Sequence, residues 1–253
     1  MSSMPGRAGA GPVAAVHKKG PRRFWIQQFY GSAVGKKAVM ALTGIIGLGF
    51  VFMHMAGNLK IYTGENADGV KHIDEYGEWL RTLLEPAVPH TGTLWVLRGI
   101  LIIAVLVHIH AAITLSMMNR RARPTGYKGG RTYGLGGTYV ARSMRITGIL
   151  VVAFIVFHLF DLTWGPANPD FERGQVFHNV TSSLDRWWVA GIYIVGNLAL
   201  GLHLWHGVWS LFQSLGLNNP RFNAWRRGFA WGFTILVVGA NLTFPIAILS
   251  GAV

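Results

Sequence analysis

No cysteine occurs anywhere in the 253 residues. That excludes disulfides and thiolate-ligated zinc. It also argues against an iron–sulfur cluster in this chain, because such clusters are held by cysteine thiolates. Charge is scarce as well: 13% of residues are Asp, Glu, Lys or Arg and 51% are apolar, whereas a soluble domain is about a quarter charged. Acid is scarcer still, with ten acidic residues against 23 basic ones. A net charge of +13 invites a nucleic-acid reading, but the placement of the charge along the chain speaks against it.

The apolar residues gather in long runs. With about 20 residues per bilayer crossing, five spans are expected at 37–58, 93–118, 144–164, 187–211 and 228–250. The charges between them sort by sign. The segment up to Lys37, the loop holding Arg120 to Arg145 and the loop holding Arg221, Arg226 and Arg227 carry base and no acid. The ten acids are read as belonging to the two remaining loops, which leaves the span interiors free of carboxylate. Positive charge marks the cytoplasmic side, so the amino terminus is expected inside and the carboxyl terminus outside. The fold class that follows is an all-α integral membrane protein of five transmembrane helices, the first four forming a bundle. Residues 1–36 are a cytoplasmic tail and membrane-surface segment, and 37–253 are one transmembrane domain. The first residues lack an apolar core ahead of a cleavage site, so the first span is expected to serve as an uncleaved insertion signal.

Four histidines, His54, His108, His158 and His203, fall one to each of the first four spans. An imidazole in hydrocarbon is costly and rarely idle, and neutral imidazole is the commonest protein ligand to a metal. One per helix over four helices suggests two axial pairs, hence two haems. Topology converts sequence position into depth. At 1.5 Å per residue, His54 lies about 25 Å above Lys37 and His108 about 18 Å from Arg120. The depths group His54 with His158 on the outer side and His108 with His203 on the inner side.

Gly47 precedes His54 by seven residues, and Gly196 precedes His203 by seven. Two helical turns put each glycine on its histidine's face, about 10 Å away, where it would give clearance to the other haem. Small-residue packing between helices is the competing explanation. His110 sits about 200° around the helix from His108, so only one of the two faces the interior. His206 could share a face with His203. Both remain open as hydrogen-bonded bundle residues or propionate neighbours. His17, His72, His90 and His178 fall in tails or loops.

Several motifs bring a family into view. Ser32-Ala-Val-Gly-Lys-Lys37, Met40-Ala-Leu-Thr-Gly44 and His54-Met-Ala-Gly-Asn-Leu59 resemble the first helix of the cytochrome b anchor of succinate dehydrogenases and fumarate reductases. The similarity is to the single-chain, five-helix, two-haem type. Tyr76-Gly-Glu-Trp-Leu80, Asn119-Arg-Arg-Ala-Arg-Pro124, Arg145-Ile-Thr-Gly148, His158-Leu-Phe-Asp-Leu162 and His203-Leu-Trp-His-Gly-Val-Trp-Ser210 are similar too. The likeness covers roughly residues 24–220. It implies haem b ligation by His54 with His158 and by His108 with His203. It also implies a flavoprotein and an iron–sulfur subunit docked on the cytoplasmic face of a bacterial inner membrane. The electron acceptor it implies is a membrane quinone, commonly menaquinone. Some members carry a glutamate two residues before the fourth-helix ligand. Gly201 stands there in this chain.

A quinone needs an apolar slot with a few polar groups. Tyr30, Ser32, Lys36, Arg142 and Arg145 are candidates near the inner haem. Arg98 is a candidate near the outer one, with Glu78, Trp79 and Arg81 in the preceding loop. Haem propionates compete for the same cations. No residue is assigned a catalytic role. The other readings are a di-haem anchor of a hydrogenase or formate dehydrogenase, and a haem-free proton-coupled transporter. The sequence carries no inverted repeat of the kind many transporters show.

Overall fold

The computed structural model describes residues 24–122, 135–217 and 219–253, with side chains described from residue 143 in the second stretch. Among them, eight α-helices follow in order. They are α1 (Trp25–Gly31), α2 (Ala33–Asn58), α3 (His72–Thr82), α4 (Gly92–Arg121), α5 (Leu135–Leu162), α6 (Val176–Leu184), α7 (Trp187–Ser214) and α8 (Asn223–Leu249). Short 3-10 turns at Leu59–Tyr62 and Pro220–Phe222 extend α2 and precede α8.

Five of these helices, α2, α4, α5, α7 and α8, are long and apolar enough to cross a membrane. Their outward faces carry Ile45, Ile46, Ile102, Ile103, Leu106, Ile149, Leu198, Leu202, Ile235 and Leu236 in the open. So much exposed aliphatic surface marks contact with hydrocarbon rather than water. Each helix satisfies its own backbone, as hydrocarbon requires.

Small residues bring the helices together. Ala104 and Ala111 of α4 and Ala199 of α7 are buried. A Cβ on Gly201 would lie 2.9 Å from Val238 of α8, so this glycine faces α8. Helix α2 packs on α4, α5 on α7, and α7 on α8. The entry to the bundle is fixed locally. Ser32 is extended, its hydroxyl accepts from the Gly35 amide at 2.9 Å and donates to the Phe29 carbonyl at 2.7 Å. A Cβ on Gly35 would overlap that carbonyl, so only glycine allows α1 to fold against α2.

The loops at one end are more structured than plain connectors. Ile61, Ile73, Leu184, Val189, Tyr193, Phe244 and Ile248 form a small core that seats α3 and α6 over the bundle. Asp74 of α3 accepts from the Phe177 amide at 2.9 Å and caps α6. Asn168, a loop position by sequence, is buried and donates to the Asn179 carbonyl at 3.1 Å.

All ten acidic residues stand at this end, hereafter the acidic end. Lys36, Lys37, Arg120, Arg121, Arg145, Arg221, Arg226 and Arg227 stand at the opposite, basic end. One detail of the sequence reading is corrected. Asp161 belongs to no loop: it occupies the last turn of α5 and is wholly buried. Burial is tolerated because Arg186, Ser183 and Tyr193 all bond its carboxylate. A buried carboxylate requires such partners.

Candidate haem-binding site

The four span histidines meet in two pairs. The rings of His54 on α2 and His158 on α5 are 5.8 Å apart, near the acidic end. The rings of His108 on α4 and His203 on α7 are 6.5 Å apart, nearer the basic end. Each pair reaches from the α2–α4 half of the bundle to the α5–α7 half. A metal bonded to one nitrogen of each ring at about 2 Å separates ring centres by about 6 Å. Both ring spacings are of that order.

The helices also fix which ring nitrogen is free. Thr43 Oγ1 gives its proton to the Val39 carbonyl at 2.8 Å and stands 3.0 Å from His108 Nδ1. Thr147 Oγ1 gives its proton to the Ser143 carbonyl at 2.8 Å and stands 3.4 Å from His203 Nδ1. With the hydroxyl proton committed, the threonine oxygen accepts from Nδ1–H. That tautomer leaves Nε2 as the lone-pair donor, the arrangement a ligating histidine needs. His158 Nδ1 lies 3.3 Å from the Tyr193 hydroxyl, which itself donates to Asp161 at 2.8 Å. His54 is flanked by the stacked ring of Phe50, 5.3 Å away.

Sequence reasoning missed these threonines, although a signal was present. Thr43-Gly44 precedes His54 by eleven residues from the threonine, and Thr147-Gly148 precedes His158 by the same eleven. Each dipeptide sits one level below its own helix's histidine and touches the histidine of the neighbouring helix. A Cβ at Gly44 would lie 3.8 Å from His108, and one at Gly148 would lie 3.5 Å from His203. These are the glycines closest to the imidazoles. Gly47 faces open space, with no atom within 4 Å of an added Cβ. At Gly196 an added Cβ would strike the Phe154 ring at 2.3 Å. Gly196 thus makes room for an aromatic ring, which is tilted against His158 at 6.0 Å. It also lines a lipid-facing groove of about 600 Å³ between α5 and α7.

His110 points away from the paired rings. Its Nδ1 is 2.6 Å from the Tyr30 hydroxyl of α1. His206 is buried, 3.4 Å from Ser143 through Nε2, with its ring against Trp205.

The polar candidates do not converge on one point. Tyr30 and buried Lys36 meet, with the ammonium 4.2 Å from the ring centre. Ser32 is engaged as the α2 cap. Arg98 is exposed and lies over Trp95, and Arg145 is exposed. The Arg142 side chain falls outside the described residues. Glu78 and Arg81 pair with each other at 2.7 Å, and Trp79 stacks on Tyr76. A hollow of about 240 Å³ at the basic end was not anticipated. Lys37, Met40, Leu115, Ser210, Gln213 and Ser214 line it. The signal was the recurrence of polar residues at one-turn spacing after His206.

Fold and site together define a multi-pass helical membrane protein with two imidazole pairs stacked along its bundle. Residues 119–242, just under half of the chain, match the family model of the succinate dehydrogenase/fumarate reductase transmembrane subunit. The match takes in α5 and α7, with His158 and His203, and supports assignment of the chain to that family of membrane subunits. No curated protein and no solved structure matches the chain.

Proposed function

We propose that this chain is the membrane-anchor cytochrome b of a succinate:quinone oxidoreductase, carrying electrons between a partner iron–sulfur subunit and a membrane quinone. Two b haems are held by His54 with His158 and by His108 with His203. The observation that carries the proposal is the pair of ring spacings, 5.8 and 6.5 Å, in a chain that matches the family.

Bound haem supplies one-electron chemistry. The chain's own contribution is positional. The four imidazoles would hold the metal, and Thr43, Thr147 and Tyr193 stand beside Nδ1 of His108, His203 and His158, which would leave their Nε2 free for it. The basic end is proposed as the cytoplasmic face of a bacterial inner membrane, in keeping with the positive-inside rule. The flavoprotein and iron–sulfur subunits would dock there, over the loop from Arg120 to Arg145 and the segment from Arg22 to Lys37. Residues 123–134 of that loop, and Arg22 and Arg23 of the segment, lie outside the described residues. The chain has no cysteine to hold a cluster of its own. Menaquinone is the proposed acceptor, with Tyr30, Lys36, Arg98, Arg142 and Arg145 available to its carbonyls or to propionates.

Cysteine cross-linking in the assembled complex tests the docking face. Leu217 is exposed at the basic end and Ala67 at the acidic end. Leu217→Cys is expected to capture the iron–sulfur subunit and Ala67→Cys to capture none. Capture from Ala67→Cys alone refutes the orientation. In the same complex, succinate is expected to reduce a b-type absorption band. A complex that oxidises succinate with an artificial acceptor yet shows no such band refutes the proposed role.

A further inference from the structure

The two ends of the bundle hold their imidazoles by different chemistry. At the basic end, Nδ1 of His108 and Nδ1 of His203 stand 3.0 and 3.4 Å from a threonine oxygen whose own proton goes to a backbone carbonyl. At the acidic end, Nδ1 of His158 stands 3.3 Å from the Tyr193 hydroxyl, and Tyr193 donates to the carboxylate of Asp161, which leaves the phenol oxygen to accept from Nδ1–H. Asp161 has none of its surface exposed. Its Oδ2 accepts from Tyr193 at 2.8 Å and from Ser183 at 2.5 Å, and its Oδ1 accepts from Arg186 at 3.0 Å. Arg186 is itself anchored by the Ala167 carbonyl at 2.9 Å.

A phenol that donates to a carboxylate becomes a better acceptor, because hydrogen bonds in a chain polarise one another. The effect is larger in a low-dielectric interior, where charge-assisted bonds are the strong ones. A better acceptor at Nδ1–H makes the imidazole more basic at Nε2. A more basic axial ligand favours the higher charge on iron, and outer-shell hydrogen bonding is one of the levers on haem potential. A threonine whose proton ends on a neutral carbonyl transmits no such charge. Arg186 draws on the far oxygen and moderates the effect without removing it, because Oδ2 remains shared between two neutral donors.

We infer that Asp161 and Tyr193 are positioning residues for His158, and that together they hold the iron it ligates at a lower reduction potential than a threonine partner would. This rests on the two-haem reading of the site. Among the described residues the feature belongs to one pair, so it separates the two potentials along the bundle.

The test is a redox titration of the purified complex, followed optically, with the acidic-end component assigned by its loss in His158→Ala. Tyr193→Phe keeps the ring that packs on Phe154, Phe157 and His158 and deletes only the hydroxyl. It is expected to raise the midpoint of the acidic-end component by about 59 mV, a tenfold shift in a one-electron equilibrium. The basic-end midpoint should stay in place. Asp161→Asn, which keeps an oxygen for Tyr193 but removes the charge, is expected to move the same component in the same direction. Should that variant fail to assemble, Tyr193→Phe decides alone. An unchanged or lowered midpoint in Tyr193→Phe overturns the inference, as does loss of the component altogether. Absence of b haem from the wild-type complex is a different result, and it overturns the two-haem reading itself.

Discussion

Replacing His108 or His203 with alanine is expected to abolish the basic-end b-type component and spare the other. Replacing His54 or His158 is expected to abolish the acidic-end component. The size of the effect follows from the chemistry. An axial imidazole is a bond to the metal, whereas a neighbouring side chain only tunes that bond. Alanine at position 203 leaves His108 without the ring that faces it across the bundle. His206 cannot substitute, because it is turned toward Ser143. His110 cannot replace His108, because it is bonded to Tyr30. Difference spectra of each variant check the expectation. If His54→Ala and His203→Ala removed the same component and left the other intact, the pairing would be wrong.

Arg186→Met is expected to cost the folded protein about 3–5 kcal/mol, the usual penalty for leaving a buried charge without its partner. Asp161 cannot turn to solvent, since it is enclosed by α5, α6 and α7 and has no exposed surface. Its remaining neighbours, Ser183 and Tyr193, donate hydrogen bonds but carry no charge. Adding Asp161→Asn to Arg186→Met removes the stranded charge and should restore most of the loss. Arg81→Met provides the contrast. Its partner Glu78 is more than half exposed, and such pairs are worth less than about 1 kcal/mol. Thermal unfolding of the three variants in one detergent measures the difference. Equal, small losses in Arg186→Met and Arg81→Met would contradict the buried network.

Sequence and structure agree best where a single physical variable dominates. Helices α2, α4, α5, α7 and α8 were legible because hydrocarbon demands long apolar runs, and chain direction then turned residue number into depth. The depths put His54 beside His158 and His108 beside His203, and the structure places those rings opposite each other. Asp161 was misplaced for the opposite reason. Its partners Ser183, Arg186 and Tyr193 come 22 to 32 residues later, so nothing near it in sequence announces that a carboxylate could be buried. Helices α3 and α6 were hidden because they are short and cover a lobe rather than cross a bilayer. Gly196 lies two helical turns from His203 and so on its face, yet an aromatic ring from α5 takes the space beside it. The threonines were visible as a repeated dipeptide. Their role was not, because it depends on which neighbouring helix each one touches.

The most direct measurement is the haem content of the purified, assembled complex, extracted and quantified against this chain. The account predicts two b haems per chain, both low-spin with two imidazole ligands, resolved as two components in a redox titration. A ratio near zero in a fully assembled and active preparation would contradict it.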